Sequence, residues 1–179
     1  MAQAIDQQRI NRFLAEVERR AVVIAELAVG QREDALDLVQ ESMLRFVKHY
    51  AAKPETQWRP LFHRVLQNRI RDHYRRQRVR RRWLGWLPGG GDDTDGDPIQ
   101  QAADPVTRDP ETLAAQEQDG DRLLAALEKL PARQQQAFLL RQWEGLSVRD
   151  TATAMGCSEG SVKTHLSRAL KHLRGSLDT

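Results

Sequence analysis

The chain has 179 residues, 40% of them hydrophobic but only 6% aromatic, with a formal charge of +3. That length suits one large domain or two small ones, and the composition favours aliphatic helix packing over aromatic cores. No apolar run reaches the roughly 18 residues of a membrane span, no signal peptide opens the sequence, and the lone Cys157 excludes an internal disulfide or a multi-cysteine zinc cluster.

The five histidines form no HExxH or similar ligand pair. The expectation is therefore a soluble, cytoplasmic protein with no membrane insertion, no metal and no cofactor.

Three helices are predicted first. Ile10, Phe13, Leu14, Val17, Ala21 and Ile24 recur at three- and four-residue steps and share one helical stripe. Gly30 breaks the pattern. Ala35, Leu38, Val39, Ser42, Phe46 and Tyr50 form a second stripe, ended before Lys53-Pro54 because proline disfavours helix in the residue preceding it. Trp58, Leu61, Phe62, Val65, Leu66, Ile70 and Tyr74 form a third, with Pro60 in the first turn, where a missing N–H costs little. Three such stripes can bury each other as a small bundle.

Charge is unevenly placed. From Arg64 to Arg82 there are nine arginines (64, 69, 71, 75, 76, 78, 80, 81, 82) against one acid, Asp72. Between Pro88 and Pro110 there are six aspartates (92, 93, 95, 97, 104, 109) against Arg108. A basic helix followed by an acidic stretch fits a polyanion-binding face beside a solvated tether, the alternative being a merely solvated helix face. The stretch from about Gly85 to Pro110 has Pro88-Gly-Gly-Gly91, no periodicity and too little apolar surface to offset its ordering entropy, so a flexible linker is expected. Trp83, Leu84, Trp86 and Leu87 at its start read as a cap on the first core or as a docking patch.

Helix is expected to return at Glu111. Leu113, Leu123, Leu124, Leu127 and Leu130 lead to Pro131, which starts a helix holding Ala137, Phe138, Leu139 and Leu140 and ending at Glu144-Gly145. Ser147, with Asp150 three residues on, is an N-cap candidate for Val148–Met155. Gly156 is a natural C-cap, and Ser158 caps a last helix through Val162, Leu166, Ala169, Leu170 and Leu173. Helix, glycine turn and helix in this order make a helix-turn-helix. Ser161, Lys163, Thr164, Ser167, Arg168 and Lys171 then line the outer side and leading end of its second helix, which suits the major groove. The alternative is an αα-hairpin with a basic face.

At this point a resemblance becomes specific. Leu127-Glu-Lys-Leu-Pro-Ala-Arg-Gln-Gln-Gln-Ala-Phe138, Glu144-Gly-Leu-Ser-Val-Arg-Asp-Thr-Ala152 and Met155-Gly-Cys-Ser-Glu-Gly-Ser-Val-Lys-Thr-His-Leu-Ser-Arg-Ala169 resemble the C-terminal domain of the extracytoplasmic-function (ECF) group of the sigma-70 superfamily. In that family this domain reads the −35 promoter element, a role that falls here on the six residues just named. Asp34-Ala-Leu-Asp-Leu-Val-Gln-Glu41 resembles region 2.2, which docks on the polymerase's beta-prime clamp. The implied docking set is Asp34, Asp37, Leu38, Gln40, Glu41 and Leu44; Leu36 stands where most relatives carry an acid. Trp58 to Arg76 resembles regions 2.3 and 2.4, which open and hold the −10 element, with Pro60 and Leu61 departing from the commoner residues. Arg64, Gln67, Asn68, Arg71, Asp72, Arg75 and Arg76 fall opposite the apolar stripe as a phosphate ladder, with Asn68 and Asp72 able to read bases.

The resemblance implies an all-α fold of two small helical domains, a three-helix sigma-2-like bundle at 1–87 and a four-helix sigma-4-like helix-turn-helix domain at 111–179. A flexible acidic linker, 88–110, joins them. The implied function is a sigma factor that binds core RNA polymerase, at the beta-prime clamp and beta flap, and directs initiation from promoter DNA. An anti-sigma factor wedged between the domains is a further candidate partner. The competing reading is a stand-alone helix-turn-helix transcriptional regulator, which needs neither the docking motif nor the arginine helix. No clustered carboxylates, Ser/His/Asp arrangement or P-loop supports an enzyme, and the helix-turn-helix argues against an RNA-binding adaptor.

Overall fold

A computed structural model of the chain describes the backbone of residues 2–84 and 115–177 and the side chains of 7–80 and 120–177. The described residues contain helices and turns and no strand. The first unit is α1 (Ala2–Val29), α2 (Arg32–Tyr50), a short 3-10 turn (Glu55–Gln57) and α3 (Trp58–Leu84). Gly30 separates α1 from α2 at a φ of 76°, a left-handed conformation that glycine adopts without a Cβ clash. The turn before α3 is held by the Trp58 indole, which donates to the Lys53 carbonyl at 2.7 Å.

The three stripes meet as expected, but the core is less aliphatic than the composition implied. Phe13, Phe46, Trp58 and Phe62, from all three helices, form one ring cluster with centroids 5.3 to 6.1 Å apart. Few aromatics suffice because they are concentrated in one place. Phe46 and Phe62 are fully buried, so truncating either to alanine is expected to cost about 3–5 kcal/mol. Lower on the bundle, the Tyr74 hydroxyl donates to the Ala28 carbonyl, tying α3 to the end of α1, and burial pushes its phenol pKa up to about 12.

The second unit is α4 (Ala115–Glu128), α5 (Ala132–Phe138), α6 (Val148–Met155) and α7 (Glu159–Leu177). Both expected caps form: Ser147 Oγ accepts from the Asp150 N–H at 3.0 Å, and Ser158 Oγ from the Ser161 N–H at 3.1 Å. Gly156, at φ 65°, closes α6 in a Schellman motif, with the Cys157 N–H reaching the Ala152 carbonyl at 3.1 Å. Met155, Val162, Ala152 and Leu140 form a small core under this turn. Arg133 donates to the Met155 carbonyl at 2.9 Å, placing a cation at the C-terminus of α6.

The helix after Pro131 is not uniform. Beyond Phe138 it widens into a π-helical stretch, Leu139–Trp143, closed by Gly145 at φ 68°. The extra residue in that turn leaves Trp143 about half exposed while Glu144 is buried. Leu123 and Leu124, on the stripe leading to Pro131, are largely exposed, whereas Leu127 and Leu130 are buried.

The two units pack together. Leu127, Leu130, Leu139, Ala169 and Leu173 of the second join the same buried cluster as the α1–α3 core, and α3 lies against α6 and α1 against α4. The linker 88–110 lies outside the described residues, as do the side chains of Trp83, Leu84, Trp86 and Leu87.

Candidate nucleic-acid interface

Three surfaces carry the residues that sequence singles out, and the fold treats them differently. On α2, Asp37, Gln40, Glu41 and Leu44 are exposed and Asp34 is half-buried. Leu44 is 74% exposed, an apolar side chain standing in an acidic and amide surround. Leu38 differs from the expectation: at 4% exposure it is a core residue, since the 3.6-residue period turns it inward with Ala35 and Ser42. It supports the face without being part of it. Leu36 adds a second exposed apolar side chain one turn before Gln40.

Two of the α2 acids already engage α3. Glu41 pairs with Arg69, and Asp34 lies 3.9 Å from His73. Burial holds the His73 imidazole below its ordinary pKa; the Asp34 carboxylate pulls it upward and Arg76 pushes it down again.

On α3, Arg64, Asn68, Arg75 and Arg76 are exposed, and Arg71 and Asp72 are half-buried. These six keep the ladder of cationic and amide groups that phosphate contact requires. Gln67 does not stay in the open. It is 1% exposed, and its carbonyl accepts from the Gln136 amide at 2.6 Å. The helical phase was read correctly; what covers Gln67 is the other unit, which periodicity in α3 cannot reveal.

On α7, Lys163, Thr164, Ser167, Arg168 and Lys171 are exposed and Ser161 is half-buried. Val162, Ala169 and Leu173 are buried and hold the helix to its unit. The hydroxyls are partly committed: Ser161 Oγ shares a hydrogen bond with Ser158 Oγ at 2.9 Å, and Thr164 Oγ1 donates to the Gly160 carbonyl at 3.0 Å. Lys163, Ser167, Arg168 and Lys171 are the side chains most open to a duplex groove. His165 shares this helix and was not singled out from sequence. Burial lowers its pKa, and Arg133 and Arg168 lower it further, which favours the neutral imidazole.

Sequence reasoning also missed a polar cluster where the units meet. Glu144 Oε2 accepts from His63 Nε2 at 3.1 Å and from Arg59 at 3.2 Å. Arg59 also reaches Glu16 at 2.6 Å, and Arg20 donates to the Trp143 carbonyl at 3.2 Å. Burial alone would raise the Glu144 pKa, but the His63 hydrogen bond and the charges of His63, Arg59 and Arg20 hold it below its ordinary value. No local pattern marks these residues, because each pairing joins positions about 80 apart or more in sequence, or links separate helices of the first unit. Among the described residues no group of three or more His, Cys, Asp or Glu side chains could hold a metal ion. No described helix is long and apolar enough to cross a membrane.

Residues 10–80 match the family model for Sigma-70 region 2, and residues 120–173 that for Sigma-70, region 4. The RNA polymerase sigma-E factor of Streptomyces antibioticus is 32% identical over 149 residues, covering 82% of this chain and 72% of that protein. The ECF RNA polymerase sigma factor EcfG of Rhodopseudomonas palustris is 32% identical over 149 residues, covering 83% and 74%. Among solved structures, the sigma factor RpoE in complex with the anti-sigma factor NepR from Bartonella quintana aligns with a TM-score of 0.65 over 96% of this chain and 98% of that one. At 23% identity that is a likeness of fold.

Proposed function

The chain belongs to the ECF group of sigma-70 factors, and from that premise we propose how its residues divide the work of directing core RNA polymerase to a promoter. The docking surface is the outer face of α2. Asp34, Asp37 and Glu41 supply negative charge, Gln40 an amide and Leu44 an apolar contact for a helix of opposite charge on the polymerase clamp. Leu38 acts only by holding that face in place.

The −10 surface is the α3 ladder of Arg64, Gln67, Asn68, Arg71, Asp72, Arg75 and Arg76. Arginines hold the phosphates of an unwound strand, while Asn68 and Asp72 offer donors and acceptors to exposed base edges. The −35 surface is the leading end and outer side of α7. Lys163, Arg168 and Lys171 meet phosphate or guanine acceptors there, with Ser161, Thr164 and Ser167 as shorter partners. RNA synthesis itself belongs to the polymerase. The units extend over 1–87 and 111–179, and an anti-sigma factor is a candidate regulator of the chain.

The observation that carries this reading is that one chain presents an acidic docking helix, an arginine ladder and an open helix-turn-helix face. The test is transcription from genomic promoter DNA with purified core polymerase. A sigma factor gives defined start sites only when chain and core are both present. A chain that shifts the same DNA without polymerase, and starts nothing with it, would be a stand-alone regulator instead.

A further inference from the structure

The interface between the two units covers part of the strand-binding face. Gln67, one of the proposed −10 contacts, is buried against Gln136, while one turn away His63 is buried against Glu144, which also holds Arg59. Gln135 of α5 reaches further, donating to the Leu27 carbonyl of α1 at 3.4 Å. In contrast, the outer faces of α2 and α7 stay exposed in the same arrangement. A DNA strand reaching Gln67 and the α5 residue Gln136 compete for one position.

We propose that this chain is closed on itself when free, with Glu144 and Gln136 as a latch over α3, so that clamp docking and −35 reading are available but −10 strand capture is not. The proposal rests on the reading of α3 as the strand-binding face.

The contact is built to open. Three buried polar atoms within it have no hydrogen-bond partner: His63 Nδ1, Gln67 Nε2 and Glu144 Oε1. Buried groups left unsatisfied weigh against the arrangement that buries them, and each regains partners from water once the units part. The apolar part of the contact and the Arg59–Glu144–His63 pairing oppose that release. A partner that holds α2 in one place and the helix-turn-helix in another shifts the balance toward the open form, because it binds the open form better. Core polymerase fits that description: its clamp takes α2, and the promoter's two elements lie apart along the DNA.

The test uses the full chain and two variants that weaken the latch from opposite sides, Glu144→Gln in the second unit and His63→Ala in α3. Neither residue belongs to the proposed DNA or polymerase contacts. Two quantities are read: the radius of gyration of the free chain by small-angle scattering, and affinity for a single-stranded −10 oligonucleotide, free and with core polymerase. The wild-type free chain should be compact and bind the strand poorly. Either variant should expand it and raise free-chain strand affinity by at least about tenfold, the scale on which loss of one partner of a buried charge pair acts. With core present, wild type and variants should bind the strand within about twofold of one another, since the latch is already open.

Circular dichroism establishes that each variant is folded, and if one is not, the other carries the measurement. Should both variants fold and leave the scattering or the free-chain affinity unchanged, the latch is overturned. If wild type with core fails to hold the strand at all, it is the strand-binding role of α3 that falls.

Discussion

The recognition helix α7 and the strand helix α3 are both basic and both offer polar side chains to nucleic acid, yet one stands open and the other is partly covered by its own chain. On α7 the sequence period alone decides exposure, because its buried side needs only Val162, Ala169 and Leu173 to hold it. On α3 two buried sides exist. Trp58, Phe62, Leu66 and Ile70 face the first unit's ring cluster, while Arg59, His63 and Gln67 face the second unit. A helix buried on two sides shows a polar stripe where a solvent-exposed one is expected, and such a stripe marks either a ligand face or a domain contact. Here it marks both.

The comparison is broken most directly at α2, the surface that must act before α3 is uncovered. Replacing Asp37 and Glu41 with lysine is expected to weaken holoenzyme assembly about 100-fold or more, since like charges then face the clamp. Gel filtration with core polymerase measures it. Intact assembly would leave the chain without a route from closed to open. Next in size is α7 itself. Lys163→Ala and Arg168→Ala should each cost about 1–3 kcal/mol of promoter binding if they read bases, or lower the salt slope by about one if they hold phosphate. Binding isotherms at several salt concentrations separate those outcomes, and they should be the same for the closed free chain and for the holoenzyme if α7 is open in both.

Asn68→Ala and Gln67→Ala sharpen the contrast within α3. Both should weaken the −10 strand complex of the holoenzyme by about tenfold, the cost of one lost hydrogen-bonding partner. Only Gln67→Ala should also alter the compactness of the free chain, because only Gln67 bonds across the interface. Smaller again is the Ser147 cap. Ser147→Ala should destabilise the helix-turn-helix by about 1 kcal/mol in thermal or urea unfolding, leaving the α3 surface untouched.

Most of the fold was legible because its signals are local. The stripes of α1 to α3, the Gly30 break, the Ser147 and Ser158 caps and the Gly156 turn each lie within a few residues of what they determine. The α7 face was legible for the same reason. Less legible were features set by distant residues. Leu38 was grouped with the docking face although its own period turns it inward, so that error lay in combining a motif with a stripe. The burial of Gln67, the inward turn of Glu144 and the Arg59–Glu144–His63 cluster depend on how two units meet. The π-helical stretch at Leu139–Trp143 escaped because the residues preceding Gly145 read equally well as ordinary helix.

The smallest effect expected comes from acid, and it acts on α3 while sparing α7. Glu144 lies buried, with His63 and Arg59 on it from α3 and Arg20 close by from α1, while Glu16 of α1 competes for the Arg59 guanidinium. Burial opposes its ionisation, but the His63 hydrogen bond and these cations prevail, so its pKa is lower closed than open. A carboxyl depressed in this way stabilises the closed form fully above its ordinary value and loses that contribution as pH falls through the depressed one. Between about pH 7 and pH 5 Glu144 should therefore leave compactness unchanged, and the loss should begin only below the ordinary carboxylate range. Small-angle scattering of wild type against Glu144→Gln over that descent isolates the carboxyl from other acid effects. The wild-type chain should expand toward the radius of the variant, and two curves that stay parallel to the lowest pH would remove Glu144's charge from the account of closure.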